Sequence, residues 1–233
     1  MTLEQSLDPS LESPSPVQDA RGDHVRLGVG ARFTLVPATD EIVPVILGAL
    51  AVGRAAVPEV GVRTDDVSTL VRGTEQDIAR YLTAVLCAAV ASTPSGHVVA
   101  AVGLSRGCPG EVGCVLPRRE LARVPAVRLR PTGLRSAAHW ALYPLGTADA
   151  MGPITRAIGL AEAAGTLGPP ESFVTRLDGD LAAVVATSVD TWAAVGHEVA
   201  HVTAHATISL GSPSLRPTSG PTSTAGNPGP VAR

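Results

Sequence analysis

The chain alternates apolar and polar side chains in two long stretches. From His201 onward, Val202, Ala204, Ala206, Ile208 and Leu210 are apolar, with Thr203, His205, Thr207 and Ser209 between them. A period of two belongs to a β-strand with one buried face. Val98 to Arg106 reads as a second such strand, and Arg32 to Val36 as a shorter one ended by Pro37. Ile78, Tyr81, Leu82, Val85, Leu86 and Ala89 keep helical spacing instead. They predict a helix that starts at Thr74. Another helix is expected after Pro37, capped by Asp40 and with Pro44 in its first turn, where a missing N–H costs least. Asp149, Gly152 and Pro153 repeat that arrangement later in the chain. Val60 to Thr64 and Ser68 to Val71 read as short strands around Asp65 and Asp66. The second half repeats the series, with strands near His139–Tyr143, Phe173–Leu177 and His201–Leu210 and helices near 150–164 and 180–195. The order β-α-β-β-α-β is the ferredoxin-like split motif. The expected fold class is α+β, a tandem repeat of two ferredoxin-like units. In each, two helices should cover one face of a four-stranded antiparallel sheet and leave the other free for a partner sheet.

The repetition is visible residue by residue. His97-Val opens a strand that leaves through Ser105-x-Gly107-Cys108-Pro109, and His201-Val opens one that leaves through Ser209-x-Gly211-Ser212-Pro213. Phe33-Thr-Leu-Val-Pro37 answers to Trp140-Ala-Leu-Tyr-Pro144. A pocket built by one unit should therefore occur twice. The expected division is an acidic disordered tail over 1–25, repeat one over 26–112, an Arg/Pro linker over 113–136, repeat two over 137–214 and a second disordered tail over 215–233. Pro117 to Ser136 carries six arginines and is expected to be extended and solvated.

Composition narrows the function class. All eighteen basic residues of the 233 are arginine, and the formal net charge is −3. Neither nucleic acid nor an anionic membrane surface is a favoured partner. No apolar run reaches the length of a membrane-spanning helix, and Met1-Thr-Leu-Glu-Gln5 lacks the regions of a secretory signal. Cys87, Cys108 and Cys114 form no C-x-x-C pair, and they read as reduced thiols of a cytoplasmic protein.

His197-Glu-Val-Ala-His201 matches H-E-x-x-H, which on a helix would hold zinc and suggest a hydrolase. The alternation from His201 onward places that residue on a strand, so the helical geometry is missing and no metal is expected. No nucleophile elbow, phosphate-binding loop or dinucleotide fingerprint is present. Cys108 as a nucleophile lacks an oriented base, and its repeat counterpart is Ser212.

Arg32-Phe-Thr-Leu-Val-Pro-Ala-Thr-Asp40, Thr64-Asp-Asp-Val-Ser-Thr-Leu-Val-Arg-Gly73 and Gly107-Cys-Pro-Gly110 resemble the first half of the YkoF-type thiamine/hydroxymethylpyrimidine-binding family. Ala141-Leu-Tyr-Pro144, Met151-Gly152, Ala164-Gly-Thr166, Leu177-Asp-Gly-Asp180 and Ser212-Pro-Ser214 continue the resemblance, which runs over roughly 31 to 214. It implies a non-enzymatic cytoplasmic protein, usually a homodimer, without a cofactor. It also implies that the chain binds thiamine or its pyrimidine half and is linked to uptake or salvage of that precursor, with a transporter system as a possible further partner. The other reading is a regulatory or scaffolding module whose pocket takes a different metabolite or a partner chain.

A flat aminopyrimidine wants a stacking surface and hydrogen-bonding groups on its edge. Candidates in the first unit are Arg32, Phe33, Thr34, Thr64, Asp65, Thr69, Ser105, Gly107 and Cys108. In the second they are His139, Trp140, Ser172, Thr175, Ser209, Gly211 and Ser212. Phe33 and Trp140 are the expected stacking aromatics, and Asp65 is also a candidate turn former. Thr203, His205, Thr207 and Ser209 stand where the first copy has Val99, Ala101, Gly103 and Ser105, so two pockets of unequal affinity are expected.

Overall fold

The computed structural model describes residues 28–107 and 124–214. In repeat one, β1 (Gly30–Pro37) is followed by α1 (Ile42–Ala56), β2 (Gly61–Thr64), β3 (Thr69–Arg72), α2 (Glu75–Ser92) and β4 (Val98–Arg106). Repeat two comprises β5 (Arg135–Leu145), α3 (Met151–Ala163), β6 (Thr175–Asp180), α4 (Leu181–Val195) and β7 (His201–Leu210). The second counterpart of β2 is reduced to a single bridge, Leu167 to Leu177.

All seven strands form one antiparallel sheet in the order β2-β3-β1-β4-β7-β5-β6. The two units are thus joined edge to edge through their closing strands. Each strand buries one parity of side chains: Ala31, Phe33 and Leu35 on β1, Val98, Ala100, Val102 and Leu104 on β4, and Val202 to Leu210 on β7. These pack under the four helices in a single core that runs across both repeats. The opposite parity faces away from the helices.

β4 and β7 pair from Val98↔Leu210 to Arg106↔Val202, with Val102 opposite Ala206 at the centre. Val102 and Ala206 are themselves repeat equivalents, so a pseudo-twofold axis passes between them. Gly107 at the exit of β4 meets Ala200 and His201, and Gly211 at the exit of β7 meets Gly96 and His97. The duplicated glycine is where each repeat passes the start of the other's last strand.

Thr74 caps its helix as the sequence suggests, Asp180 caps another that carried no such expectation, and Asp149 bonds into the first turn of a third, whose cap residue is Ala150. The Thr74 hydroxyl accepts the Asp77 N–H at 3.0 Å, and Asp180 accepts that of Ala182 at 2.8 Å. Asp149 accepts the Gly152 N–H at 2.8 Å. Asp40 does not cap α1: the residue before that helix is Glu41, which makes no side-chain cap, and Thr39 takes the Glu41 N–H at 3.2 Å.

The expected solvated linker is docked where it is described. The Val127 N–H donates to Asp190 at 2.8 Å, Gln76 pairs with both the N–H and the carbonyl of Arg128, and the Thr132 and Gly133 N–H groups donate to Asp180. Side-chain acceptors on α2 and α4 hold this backbone, and Val127 is buried. Residues 1–27, 108–123 and 215–233, and with them both expected tails and Cys108, lie outside the described residues.

Asp180 serves as cap for α4 and as anchor for this strap. Burial pushes its carboxyl up, but the Thr132, Ala182 and Gly133 amides and the Thr132 hydroxyl hold it below the usual carboxylate range. A carboxylate so depressed stabilises the fold above its unfolded pKa, and that contribution is lost as pH falls through the folded one. Asp180→Ala is expected to cost about 2 kcal/mol in urea unfolding at pH 7, the upper range for one cap. The difference from wild type should narrow below about pH 4. An unchanged gap at pH 3 would remove the charge from this account.

Candidate functional site

On the face away from the helices, side chains of one parity from β3, β1, β4, β7, β5 and β6 form two concave pockets. The first, about 340 Å³, lies at the start of β1 and the end of β4 and is lined by Arg32, Leu70, Arg72, Gly103 and Ser105, with Thr203 and His205 reaching across from β7. The second, about 260 Å³, lies at the start of β5 and the end of β7 and includes His139, Arg176, Thr207, Ser209, Ser212 and Ser214. The two correspond at four lining positions. Arg32 answers to His139, Leu70 to Arg176, Gly103 to Thr207 and Ser105 to Ser209, and the pseudo-twofold axis places the pockets toward opposite ends of the closing strands.

Of the sequence candidates, Arg32 and Ser105 line the first pocket, and His139, Ser209 and Ser212 the second. Phe33 and Trp140 do not. They have the opposite strand parity and are buried under the helices at 3 % and 1 % exposure, so neither ring can stack on a ligand held on the open face. Phe33 packs against Tyr81 instead. Among the described residues the indole N–H of Trp140 finds no hydrogen-bond partner. Thr69 pairs with Phe33, and Thr175 with Trp140, on that same helix side. The Thr64 and Thr69 hydroxyls bond each other at 3.1 Å. Ser172 is exposed and borders neither pocket. Gly107 and Gly211 belong to the junction between the repeats.

Asp65 acts through Arg32. Its carboxylate accepts the Val67 and Ser68 N–H groups at 3.0 and 2.8 Å, forming the β2–β3 turn, and meets the Arg32 guanidinium at 3.0 Å. The Ser68 amide first, then Arg32 and the Val67 amide, hold the carboxyl at about 2. Arg32 also donates to the Ser68 hydroxyl at 2.7 Å, and the Thr34 hydroxyl donates to the Val67 carbonyl at 2.9 Å. The turn therefore fixes the orientation of Arg32 at the pocket wall.

The second pocket is held differently. Arg176 is clamped by Asp178 through two bonds of 2.8 and 2.9 Å, and three serines and a threonine supply hydroxyls. The first pocket instead has two arginines and His205, whose ring meets Tyr143 edge-on with centroids 5.6 Å apart. Sequence reasoning left Leu70, Arg72 and Arg176 out of the site. Strand parity with Arg32 and His139 is the signal that finds them.

The H-E-x-x-H segment has no metal geometry. Its first residues leave α4 as a turn and His201 begins β7. His197 Nε2 accepts the Val124 N–H, Glu198 pairs with Arg156, and His201 Nε2 lies 3.5 Å from Ser105 Oγ. No group of three or more potential metal ligands occurs among the described residues.

The model of the YkoF-related family matches residues 28–111 and 135–215, one match per repeat. The chain belongs to the YkoF-related family. Those limits contain all eleven strands and helices and both pockets, so family membership covers the whole described fold apart from residues 124–134. A relative from Bacillus subtilis (strain 168), named "Putative HMP/thiamine-binding protein YkoF", is 31% identical over 188 residues, which is 80% of this chain and 92% of that protein. No helix among the described residues is long and apolar enough to cross a membrane.

Proposed function

We propose that this chain is a non-enzymatic binding protein for thiamine or its hydroxymethylpyrimidine moiety, with one pocket per repeat on the open face of the sheet. The observation that carries this reading is the recurrence of one pocket at repeat-equivalent positions in a member of the YkoF-related family. Each pocket offers what an aminopyrimidine needs. Hydroxyls of Ser105 and Thr203, or of Thr207, Ser209 and Ser212, can bond its edge. Guanidinium planes of Arg72 and Arg176 provide the flat surface that Phe33 and Trp140 cannot. The role we assign is carriage or sensing in uptake or salvage of a thiamine precursor in the cytoplasm.

The two pockets differ in charge and in hydroxyl count, so their affinities should differ. Isothermal titration with thiamine and with hydroxymethylpyrimidine is expected to resolve two sites. Ser209→Val should remove one and Ser105→Val the other. Two identical sites would refute the asymmetry, and no binding of either compound would refute the reading. We further propose a homodimer, as the family resemblance implies; Val36, Tyr143 and Leu145 are exposed at 60, 45 and 43 % on the uncovered face. Light scattering should then give twice the chain mass of 23.6 kDa.

A further inference from the structure

A third cavity, about 640 Å³, lies on the helix side of repeat two and has a different origin. It opens between α3 and α4 beneath the start of the strap, and six of its thirteen lining residues are alanine. Comparison of the repeats explains why it exists. Thr187 and Thr191 on its floor stand at the positions of Tyr81 and Val85 in repeat one. There, the two larger side chains fill the corresponding space and press on Gly53 of α1 so closely that a Cβ would not fit. Both Tyr81 and Val85 are fully buried. The repeat can therefore close this gap, and repeat two keeps it open.

Asp190 lines the same cavity at the position where repeat one has Ala84. Its Oδ1 accepts the Val127 N–H at 2.8 Å, which is the carboxylate's one hydrogen bond among the described residues. A carboxylate set among alanines is costly unless a cation or further donors meet it. Burial already pushes the Asp190 carboxyl upward, with the Val127 amide opposing. Thr187, Thr191, His197 and Glu198 line it as well, and a volume of this size with alanine-rich walls and a few polar groups has the marks of a small-molecule site.

We propose that this cavity is a second kind of ligand site, unique to repeat two, which takes a small organic cation with a flat apolar body. An amidinium or protonated aromatic amine would place its N–H groups on Asp190 and its ring against Leu160, Ala164 and Ala186. The site is separate from the sheet-face pockets and does not depend on what they bind.

The test uses the full chain and benzamidine as probe, followed by nuclear magnetic resonance titration. Saturable binding is expected, with shifts in α3 and α4. Asp190→Asn keeps an acceptor for Val127 but loses the charge, and should weaken benzamidine about tenfold or more. The double variant Thr187→Tyr/Thr191→Val, which copies repeat one, should abolish binding while melting no lower than wild type. Ser209→Val should leave benzamidine binding unchanged, which separates this site from the pockets on the sheet. Absence of saturable binding, or equal affinity in wild type and Asp190→Asn, would overturn the proposal.

Discussion

Replacing Arg106 alone by alanine is expected to cost about 3–5 kcal/mol, whereas replacing both Arg106 and Glu75 by leucine should cost less than about 2. Arg106 ends β4 on the helix side, with its side chain 3 % exposed. Its guanidinium lies 3.5 Å from the Glu75 carboxylate in the first turn of α2, and donates to the Ala193 carbonyl near the end of α4 at 3.0 Å. An anion at a helix start and a cation at a helix end each favour the local backbone field. The group thus ties a helix of one repeat to a helix of the other. Removing one partner strands a buried charge, which is why the single change costs more than the bond itself contributes. Repeat two supplies the control: Leu181 and Leu210, both fully buried, occupy the positions of Glu75 and Arg106. Urea unfolding of the two singles and the double would show the expected pattern as strong non-additivity. Equal losses in the singles and the double would show that the pair does not act as a unit.

Gly107→Ala and Gly211→Ala are expected to lose about 3 kcal/mol or more each. Both glycines have positive φ, +99° and +60°, a region that costs other residues free energy. The larger effect is steric. A Cβ at Gly107 would overlap the Ala200 carbonyl oxygen, and one at Gly211 the Gly96 carbonyl oxygen, and neither is a side chain that can turn away. Relief requires the two closing strands to shift apart at their ends, so the loss should come with weaker binding in both pockets, because β7 lines both and β4 lines the first. Gly159→Ala, where nothing lies within 4 Å of the added carbon, is the matched control and should be neutral or slightly stabilising. Losses below about 1 kcal/mol in the junction variants would mean that the backbone there yields easily.

Much of this architecture is legible in the sequence because period and punctuation act locally. The alternation of Val98–Arg106 and His201–Leu210 gives both closing strands, and Thr74 with its apolar stripe gives α2. What alternation cannot say is which face a ligand would use. It separates Arg32 from Phe33 and His139 from Trp140, but large aromatics are as much core as binding surface until the helices are placed. Edge-to-edge joining through β4 and β7 is a long-range pairing that leaves no mark within either strand. The strap over 124–134 escapes for a related reason. It is held by backbone bonds to Gln76, Asp180 and Asp190, which carry no periodicity, and its arginines suggest solvent. The fading of the second β2 to a bridge at Leu167 is likewise a matter of register.

The register of β4 against β7 makes the chain a dimer of halves within one molecule. Because Val102 faces its own equivalent, a lone half would offer a nine-residue edge that matches a second lone half in the same register. Exposed edges of that length invite promiscuous pairing. Covalent fusion turns an encounter that depends on concentration into one fixed by tether length. It also frees the halves from having to be identical. Once each edge has a guaranteed mate, one half can keep an ion pair where the other keeps leucines, and one can fill a gap that the other leaves open.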